Sequence, residues 1–128
     1  MTDPARLAEI IADHAHREGP LLPILHACQR AFGCVDAAAE AQIAKALNLS
    51  RAEVHGVVSF YHDFTPAPDP RPAVELCRAE ACQARGVEAL VAAAQGAAGG
   101  RVNLKTVYCL GLCSVGPAAR VGDALHAR

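Results

Sequence analysis

Four of the six cysteines fall into two closely spaced pairs, and these residues are the best metal ligands in the chain. Cys77 and Cys82 form a C-x4-C pair, Cys109 and Cys113 form a C-x3-C pair, and 26 residues separate the two pairs. Thiolates are soft, negatively charged donors that bind iron and zinc strongly. Two pairs of thiolates supply the four ligands of a [2Fe–2S] cluster, two for each iron.

A structural zinc ion is the other interpretation of these four residues, because four-cysteine zinc sites also draw their ligands from two pairs. Zinc pairs are usually C-x2-C, since one tetrahedral ion needs closely converging ligands. The wider loops here favour a two-metal cluster, but spacing alone leaves a zinc-stapled interaction module open. Thioredoxin-type dithiol chemistry needs C-x-x-C, which does not occur in this sequence.

The elements that must position the cysteines are two short strands. The apolar segment 73–77 predicts a strand ending at Cys77, and 102–109 predicts another ending at Cys109. Loops that follow two such strands can lie side by side at one sheet edge. A helix over about 84–95 and a third strand over 118–121 complete a β-α-β-β order, which predicts an α/β sandwich.

The loops themselves are built from small residues, which lets backbone amides approach the bridging sulfides of a cluster. We expect such amides to stabilise a reduced, more negative cluster and so tune its potential. Gly116 and Pro117 frame the second loop. The expected amide donors are Ala79, Ala81, Gly111 and Ser114.

The first half of the chain predicts helices. One begins near Asp3-Pro4, a second runs over 22–32, a third follows Asp36, and a fourth follows the capping box of Ser50 and Glu53. Four prolines then lie in 66–72, a stretch that cannot be helical. We therefore predict a helical region over 1–65, a linker over 66–72 and an α/β domain over 73–128.

Charge and hydropathy exclude several classes of function. The formal net charge is −1, which does not favour a nucleic-acid partner. Segment 43–60 has the outline of a helix-turn-helix, but Arg51 is the only cation on its second helix, so DNA binding is a weak hypothesis. No apolar stretch approaches the length of a membrane span, and the first residues do not read as a secretion signal. We expect a cytoplasmic protein without direct membrane contact, whose cysteines stay reduced.

The cysteine motifs, with Val107 to Cys113 reading VYCLGLC and Gly116-Pro117-Ala118 after them, resemble the thioredoxin-like [2Fe–2S] ferredoxin family. The helical half is similar too, from LPILHACQRAFG to a segment ending in SFY. The resemblance covers about residues 20–120. Its members include the 24 kDa subunit of NADH dehydrogenase, the diaphorase small subunit of NAD-reducing hydrogenases, and the gamma subunit of NAD-dependent formate dehydrogenase.

The resemblance implies a helical bundle followed by a thioredoxin-like α/β sandwich that carries one [2Fe–2S] cluster. It implies a non-catalytic electron-transfer subunit of an NAD-dependent oxidoreductase complex, which exchanges single electrons with the FMN of an NADH-binding partner subunit. A larger catalytic subunit with further Fe–S clusters is also expected. The CLGLC loop and the short chain are most similar to the formate dehydrogenase gamma subunit. The other two complexes are the alternatives.

Two features depart from the family pattern or lie outside it. Family members continue into more sheet and a terminal helix where this chain ends in DALHAR, so we expect an incomplete C-terminal edge of the α/β half. Cys28 and Cys34 lie in the helical half, where we expect them to be small buried hydrophobes rather than ligands.

His55 and His62 flank Phe60 and Tyr61, an apolar segment suited to docking on a partner.

Overall fold

The computed structural model describes all residues, Met1–Arg128. The chain forms two compact units, Met1–Pro68 and Asp69–Arg128, which are described separately. The boundary between the units falls among the prolines of 66–72. The division into 1–65, 66–72 and 73–128 stays a prediction.

The first unit consists of four helices. Their bounds are α1 Pro4–His14, α2 Leu21–Phe32, α3 Ala37–Leu47 and α4 Arg51–Phe60. The starts of all four helices and the end of α2 confirm the sequence predictions to within one residue. Gly19 and Pro20 predict a later end for α1, which instead ends at His14. The agreement has a local cause, because each boundary carries its own signal in the sequence.

Helix caps fix these boundaries. Asp36 accepts a hydrogen bond from the Ala39 amide at 2.8 Å and so begins α3. Ser50 and Glu53 form the reciprocal capping box of α4, at 2.8 and 3.1 Å. Gly33 ends α2 with φ of 72°, a left-handed conformation that glycine adopts without steric cost.

The core of the first unit is formed by apolar residues from all four helices and the segments beside them. Cys28 and Cys34 are completely or almost completely buried, with 0% and 1% of their surface exposed, which confirms that they are small core residues. Phe64 closes the cluster from beyond α4. The buried members are Leu7, Ile11, Ile24, Leu25, Cys28, Val35, Ala39, Ile43, Ala44, Val54, Val58 and Phe64.

The second unit contains a four-stranded sheet and two helices. The strands are β1 Ala73–Cys77, β2 Asn103–Val107, β3 Ala118–Val121 and β4 Ala124–Ala127, and the helices are α5 Glu80–Ala84 and α6 Val87–Ala98. A short 3-10 turn covers Cys113–Val115. Mixed helix and sheet confirm the predicted α/β class.

Three details of this unit differ from the sequence predictions. The helix expected over 84–95 begins later, at Val87, because Gly86 has φ of 87° and is not helical, and the short α5 before it was not predicted. Strand β2 ends at Val107 rather than Cys109, which has φ of 82° and cannot continue a strand. The closing residues form β4, a strand that was not predicted.

The sheet has the strand order β2-β1-β3-β4. Strands β1 and β2 are parallel, with Cys77 opposite Val107, whereas β3 pairs antiparallel with both β1 and β4. The parallel pair requires a crossover connection, which α5 and α6 supply. The chain segments that follow β1 and β2 therefore leave the sheet at the same edge.

The buried core of the second unit is small and includes sulfur. It consists of Cys77, Cys82, Val87 and Ala118, with Val91, Val107, Leu110 and other partly buried residues packed against it. No helix of the structure is long and apolar enough to cross a bilayer.

Candidate metal centre

The four paired cysteines lie at the edge where β1 and β2 end. Cys77 is the last residue of β1, and the backbone of Cys109 begins two residues beyond the end of β2. The Cys109 amide donates a hydrogen bond to the Cys77 Sγ at 3.2 Å. The parallel pairing of adjacent strands thus joins the two cysteine loops, as the sequence predicted.

Cys109 and Cys113 form a close pair within one tight loop. Their Sγ atoms lie 3.5 Å apart. Two sulfurs bound at about 2.3 Å to one tetrahedral metal are about 3.8 Å apart, so this pair is close to the spacing that one ion needs. Positive φ angles at Cys109 and Gly111 fold the loop back on itself, and the Gly111 amide donates to the Cys109 Sγ at 3.4 Å.

Cys77 and Cys82 form the second pair, on opposite sides of the turn that enters α5. Each of these thiols affects the pKa of the other. Gly116 lies against Cys82, because a Cβ added there would approach the Cys82 Sγ to 3.1 Å. The absence of a side chain at Gly116 therefore keeps space open beside one of the four sulfurs.

Backbone amides surround the Cys77 sulfur. Burial raises the pKa of the Cys77 thiol. Hydrogen bonds from the amides of Ala79, Cys109 and Leu110 and from the Cys82 thiol lower it by more than burial raises it, so the pKa lies below its usual value. The pKa of Cys82 is raised, mainly by burial and then by its contact with Cys77, although the Ala118 amide opposes this. Hydrogen bonding to Cys109 raises the pKa of Cys113.

These amides only partly match the expected donors. The amides of Ala79 and Gly111 donate to cysteine sulfurs, and their role as donors to bridging sulfides stays a prediction. The amides of Cys109, Leu110 and Ala118 were not foreseen, because their direction depends on the backbone path of the loop and on how β3 packs beside α5. The left-handed Cys109 carried no signal in the sequence.

The two pairs differ in exposure. Cys77 and Cys82 are each 2% exposed, whereas Cys109 and Cys113 are exposed. All six cysteines of the chain are free thiols. A metal group bound by all four sulfurs would have one side facing the interior of the unit and the other facing outward.

The donor set fits a two-metal cluster. The four sulfurs come from two loops as two pairs, and amides point at them in the way that stabilises anionic thiolates. No group of three or more His, Cys, Asp or Glu side chains is arranged to hold one metal ion. This absence bears on a zinc ion and on a cluster alike, so the preference for a cluster rests on the loop spacing and the amide donors.

The other sequence candidates lie outside these loops. Burial raises the pKa of Cys28 to about 11, with further contributions from Cys34 and Asp36, so this thiol is protonated and unreactive at neutral pH. His26 packs edge-to-face on Phe64 at 5.1 Å between ring centroids. His55 contacts Glu40 at 3.0 Å. None of these residues belongs to the cysteine centre.

Comparison with known proteins gives one family and several relatives. The family model described as thioredoxin-like [2Fe-2S] ferredoxin matches residues 7–128. The chain is 28% identical to the NADP-reducing hydrogenase subunit HndA of Solidesulfovibrio fructosivorans, covering 94% of this chain and 75% of the relative. It is also 28% identical to a subunit of the NADH-quinone oxidoreductase of Rhizobium meliloti, covering 98% and 80%. For a subunit of the NADH-quinone oxidoreductase of Escherichia coli K12 the identity is 28%, covering 88% and 75%.

Proposed function

This chain belongs to the thioredoxin-like [2Fe-2S] ferredoxin family, and from that premise we propose that Cys77, Cys82, Cys109 and Cys113 bind its [2Fe–2S] cluster for one-electron transfer. The observation that carries the proposal is the meeting of both cysteine pairs at the shared end of β1 and β2, with the Cys109 amide on the Cys77 sulfur. The four side chains act as ligands and perform no bond chemistry of their own.

The cluster supplies a site that accepts and releases one electron at a time. The protein supplies the thiolates, the amide donors and a partly buried setting for them. Amide hydrogen bonds to sulfur favour the more negative, reduced state, and burial of Cys77 and Cys82 opposes it. The potential is set by the balance of these two effects.

The partner that this function requires is a flavoprotein. A flavin accepts a hydride as an electron pair, whereas a cluster passes electrons singly, so the two cofactors together divide the pair. We propose that the chain exchanges electrons with the FMN of an NADH-binding subunit, within a complex that has a larger catalytic subunit with further Fe–S clusters. The names of the relatives, a hydrogenase subunit and NADH-quinone oxidoreductase subunits, support an assembly of this kind.

The parent complex is the finer part of the proposal. The CLGLC loop favours an NAD-dependent formate dehydrogenase, and the matched relatives favour the NADH-quinone oxidoreductase or hydrogenase type. We propose a cytoplasmic location for each of these cases, because six free thiols suit a reducing compartment.

The exposed aromatic pair at the end of α4 is the surface that we propose for partner docking. Phe60 and Tyr61 contact each other edge-to-face at 5.0 Å, and they are 73% and 43% exposed. Aromatic side chains are enriched at the cores of protein interfaces, where they bury a large apolar area with little loss of rotamer freedom.

Spectroscopy on anaerobically purified protein tests the ligand assignment. A [2Fe–2S] protein is red-brown and becomes EPR-active on one-electron reduction, whereas a zinc protein is colourless and EPR-silent. Cys109→Ser should lose the cluster or change its spectrum strongly. Cys28→Ser is the matched control, because this buried thiol lies outside the centre. A wild-type spectrum in Cys109→Ser would refute the assignment.

Purification of the tagged chain from its native host tests the partner and the parent complex. We expect an FMN-containing subunit to copurify with the wild-type chain, and the catalytic subunit recovered with it identifies the complex. Phe60→Ala should reduce recovery of the flavoprotein about tenfold or more if this ring anchors the interface. Equal recovery with Phe60→Ala would remove the aromatic pair from the docking surface.

A further inference from the structure

Arg85 links the two cysteine loops. It follows α5 directly, three residues after Cys82, and its amide donates to the Cys82 carbonyl at 3.2 Å. Its side chain extends across to the other loop, where Nη2 donates to the Ser114 carbonyl at 3.1 Å. Ser114 is the residue after Cys113, so Arg85 contacts the backbone of one loop through its amide and that of the other through its guanidinium.

The space around Gly116 shows where the stem of the Arg85 side chain lies. A Cβ at Gly116 would lie 3.1 Å from the Cys82 Sγ and 3.5 Å from the Arg85 Cδ. The stem of Arg85 and the sulfur of Cys82 therefore border the same small volume. The guanidinium of Arg85 lies at the 3-10 turn that contains Cys113.

The charge of Arg85 has no carboxylate to balance it. Three other arginines of this unit are paired with carboxylates, Arg71 with Asp69, Arg78 with Glu88 and Arg120 with Glu75. The Arg85 side chain instead donates to a neutral carbonyl, which leaves its positive charge in place. Its stem borders the Cys82 sulfur and its guanidinium reaches the residue after Cys113, and the electron-transfer function has not yet used this cation.

We propose that Arg85 raises the reduction potential of the cluster through its charge. This inference rests on the proposed ligand set. One electron from the reductant enters the cluster without a proton, so the thiolate-bound iron centre gains one negative charge. A nearby cation stabilises the more negative state more than the less negative one, which shifts the equilibrium toward reduction.

Two substitutions at this position separate charge from hydrogen bonding. Arg85→Gln removes the charge and keeps a side-chain donor, and Arg85→Lys keeps the charge but loses the planar guanidinium. Arg101→Gln is the matched control, because Arg101 also lacks a carboxylate partner but donates to Ala97 and Ala98 at the end of α6. Both glutamine variants change the net charge by the same amount.

The measurement is an EPR-monitored redox titration of the full chain with dithionite. Arg85→Gln should shift the reduction equilibrium about tenfold toward the oxidised form, which is about 59 mV for a one-electron couple. Arg85→Lys and Arg101→Gln should titrate close to the wild type. Because Arg85 is exposed, the difference between wild type and Arg85→Gln should shrink as ionic strength rises.

Each other outcome has a definite meaning. A wild-type potential in Arg85→Gln overturns the inference, and so does an equal shift in Arg85→Gln and Arg85→Lys, which would assign the effect to the shape of the guanidinium and not to its charge. An equal shift in Arg101→Gln would also overturn it, by reducing the effect to net charge. Absence of a [2Fe–2S] signal in the wild-type chain would instead refute the proposed function.

Discussion

Gly116 limits what can lie beside the Cys82 sulfur. Its φ of −60° and ψ of 166° are open to any residue, so the restriction comes from contact and not from backbone conformation. A methyl group at this position would lie 3.1 Å from the Sγ, inside the usual contact distance. The thiol can move aside when it is free, but a sulfur bonded to iron cannot.

We therefore expect Gly116→Ala to lower the amount of cluster bound after reconstitution or to alter its spectrum. Iron and sulfide analysis together with the visible spectrum measures this. Gly96→Ala is the control, because Gly96 is helical with open space around it, and this change should stabilise α6 by about 0.5–1 kcal/mol. Full cluster occupancy with an unchanged spectrum in Gly116→Ala would show that the contact relaxes without effect.

At the scale of elements, the carboxylate of Asp36 connects α3 to the start of the chain. It accepts hydrogen bonds from the Ala39 amide at 2.8 Å and the Thr2 amide at 3.1 Å. The Ala39 bond is the largest cause of the lowered pKa of Asp36, with burial opposing it and Thr2 adding to it. A carboxyl group with a lowered folded-state pKa stabilises the fold when it is ionised.

Asp36→Ala should lower the free energy of unfolding by about 1 kcal/mol near neutral pH. The contribution of the wild-type carboxylate is present above its unfolded pKa and is lost as pH falls through the lower folded pKa. Chemical denaturation at several pH values should therefore show the gap between wild type and Asp36→Ala closing in acid. Asp36→Asn keeps a capping oxygen and should lose less. A gap that does not depend on pH would exclude the ionised carboxylate as its cause.

The helical elements were predictable because their signals are local. The Asp36 cap, the Ser50–Glu53 box and the Gly33 stop each act within one turn of the residue that ends the helix. The second unit was harder to predict, because the sequence does not indicate that Gly86 adopts a left-handed conformation and separates α5 from α6. All side chains of strand β4 are exposed, and the strand depends on its pairing with β3. The sequence of 124–127 has no hydrophobic pattern that predicts this pairing.

For the candidate cysteine centre, the sequence predicted which side chains lie near one another and only partly what surrounds them. The pairing of Cys77 with Cys82 and of Cys109 with Cys113 follows from spacing, and their meeting follows from the parallel strands. The exposure of one pair and burial of the other depends on packing between α5, β3 and the loops. Arg85 gave no signal, because its role depends on a contact with Ser114, 29 residues away.

At the scale of the whole molecule, the two units differ in how many apolar residues they bury. The helical unit has fourteen buried apolar residues, whereas the α/β unit has five, and two of these five are the candidate ligands Cys77 and Cys82. Metal binding adds free energy only to the folded state of the part that binds it. The stability of residues 69–128 should therefore depend on the cofactor much more than that of residues 1–68.

Removal of the cluster from the full chain by a chelator and a mild oxidant should test this dependence. We expect amide hydrogen exchange to accelerate at least tenfold across β1, β2 and α5, and to change little across α1–α4. The helical unit serves as the internal control within one sample. Equal acceleration in both units would indicate global unfolding, and no acceleration in either would mean that the α/β unit is stable without its cofactor.

The direct pairing of β1 with β2 also has a consequence for how such chains can diverge. Register between these strands, and not the length of the chain between them, holds the two cysteine loops together. The crossover over residues 83–102 can therefore gain or lose surface residues at little entropic cost without moving a sulfur. The spacings inside each pair have no such freedom, because each pair must fit one ion. A search for distant homologues should fix those two short intervals and leave the long one free.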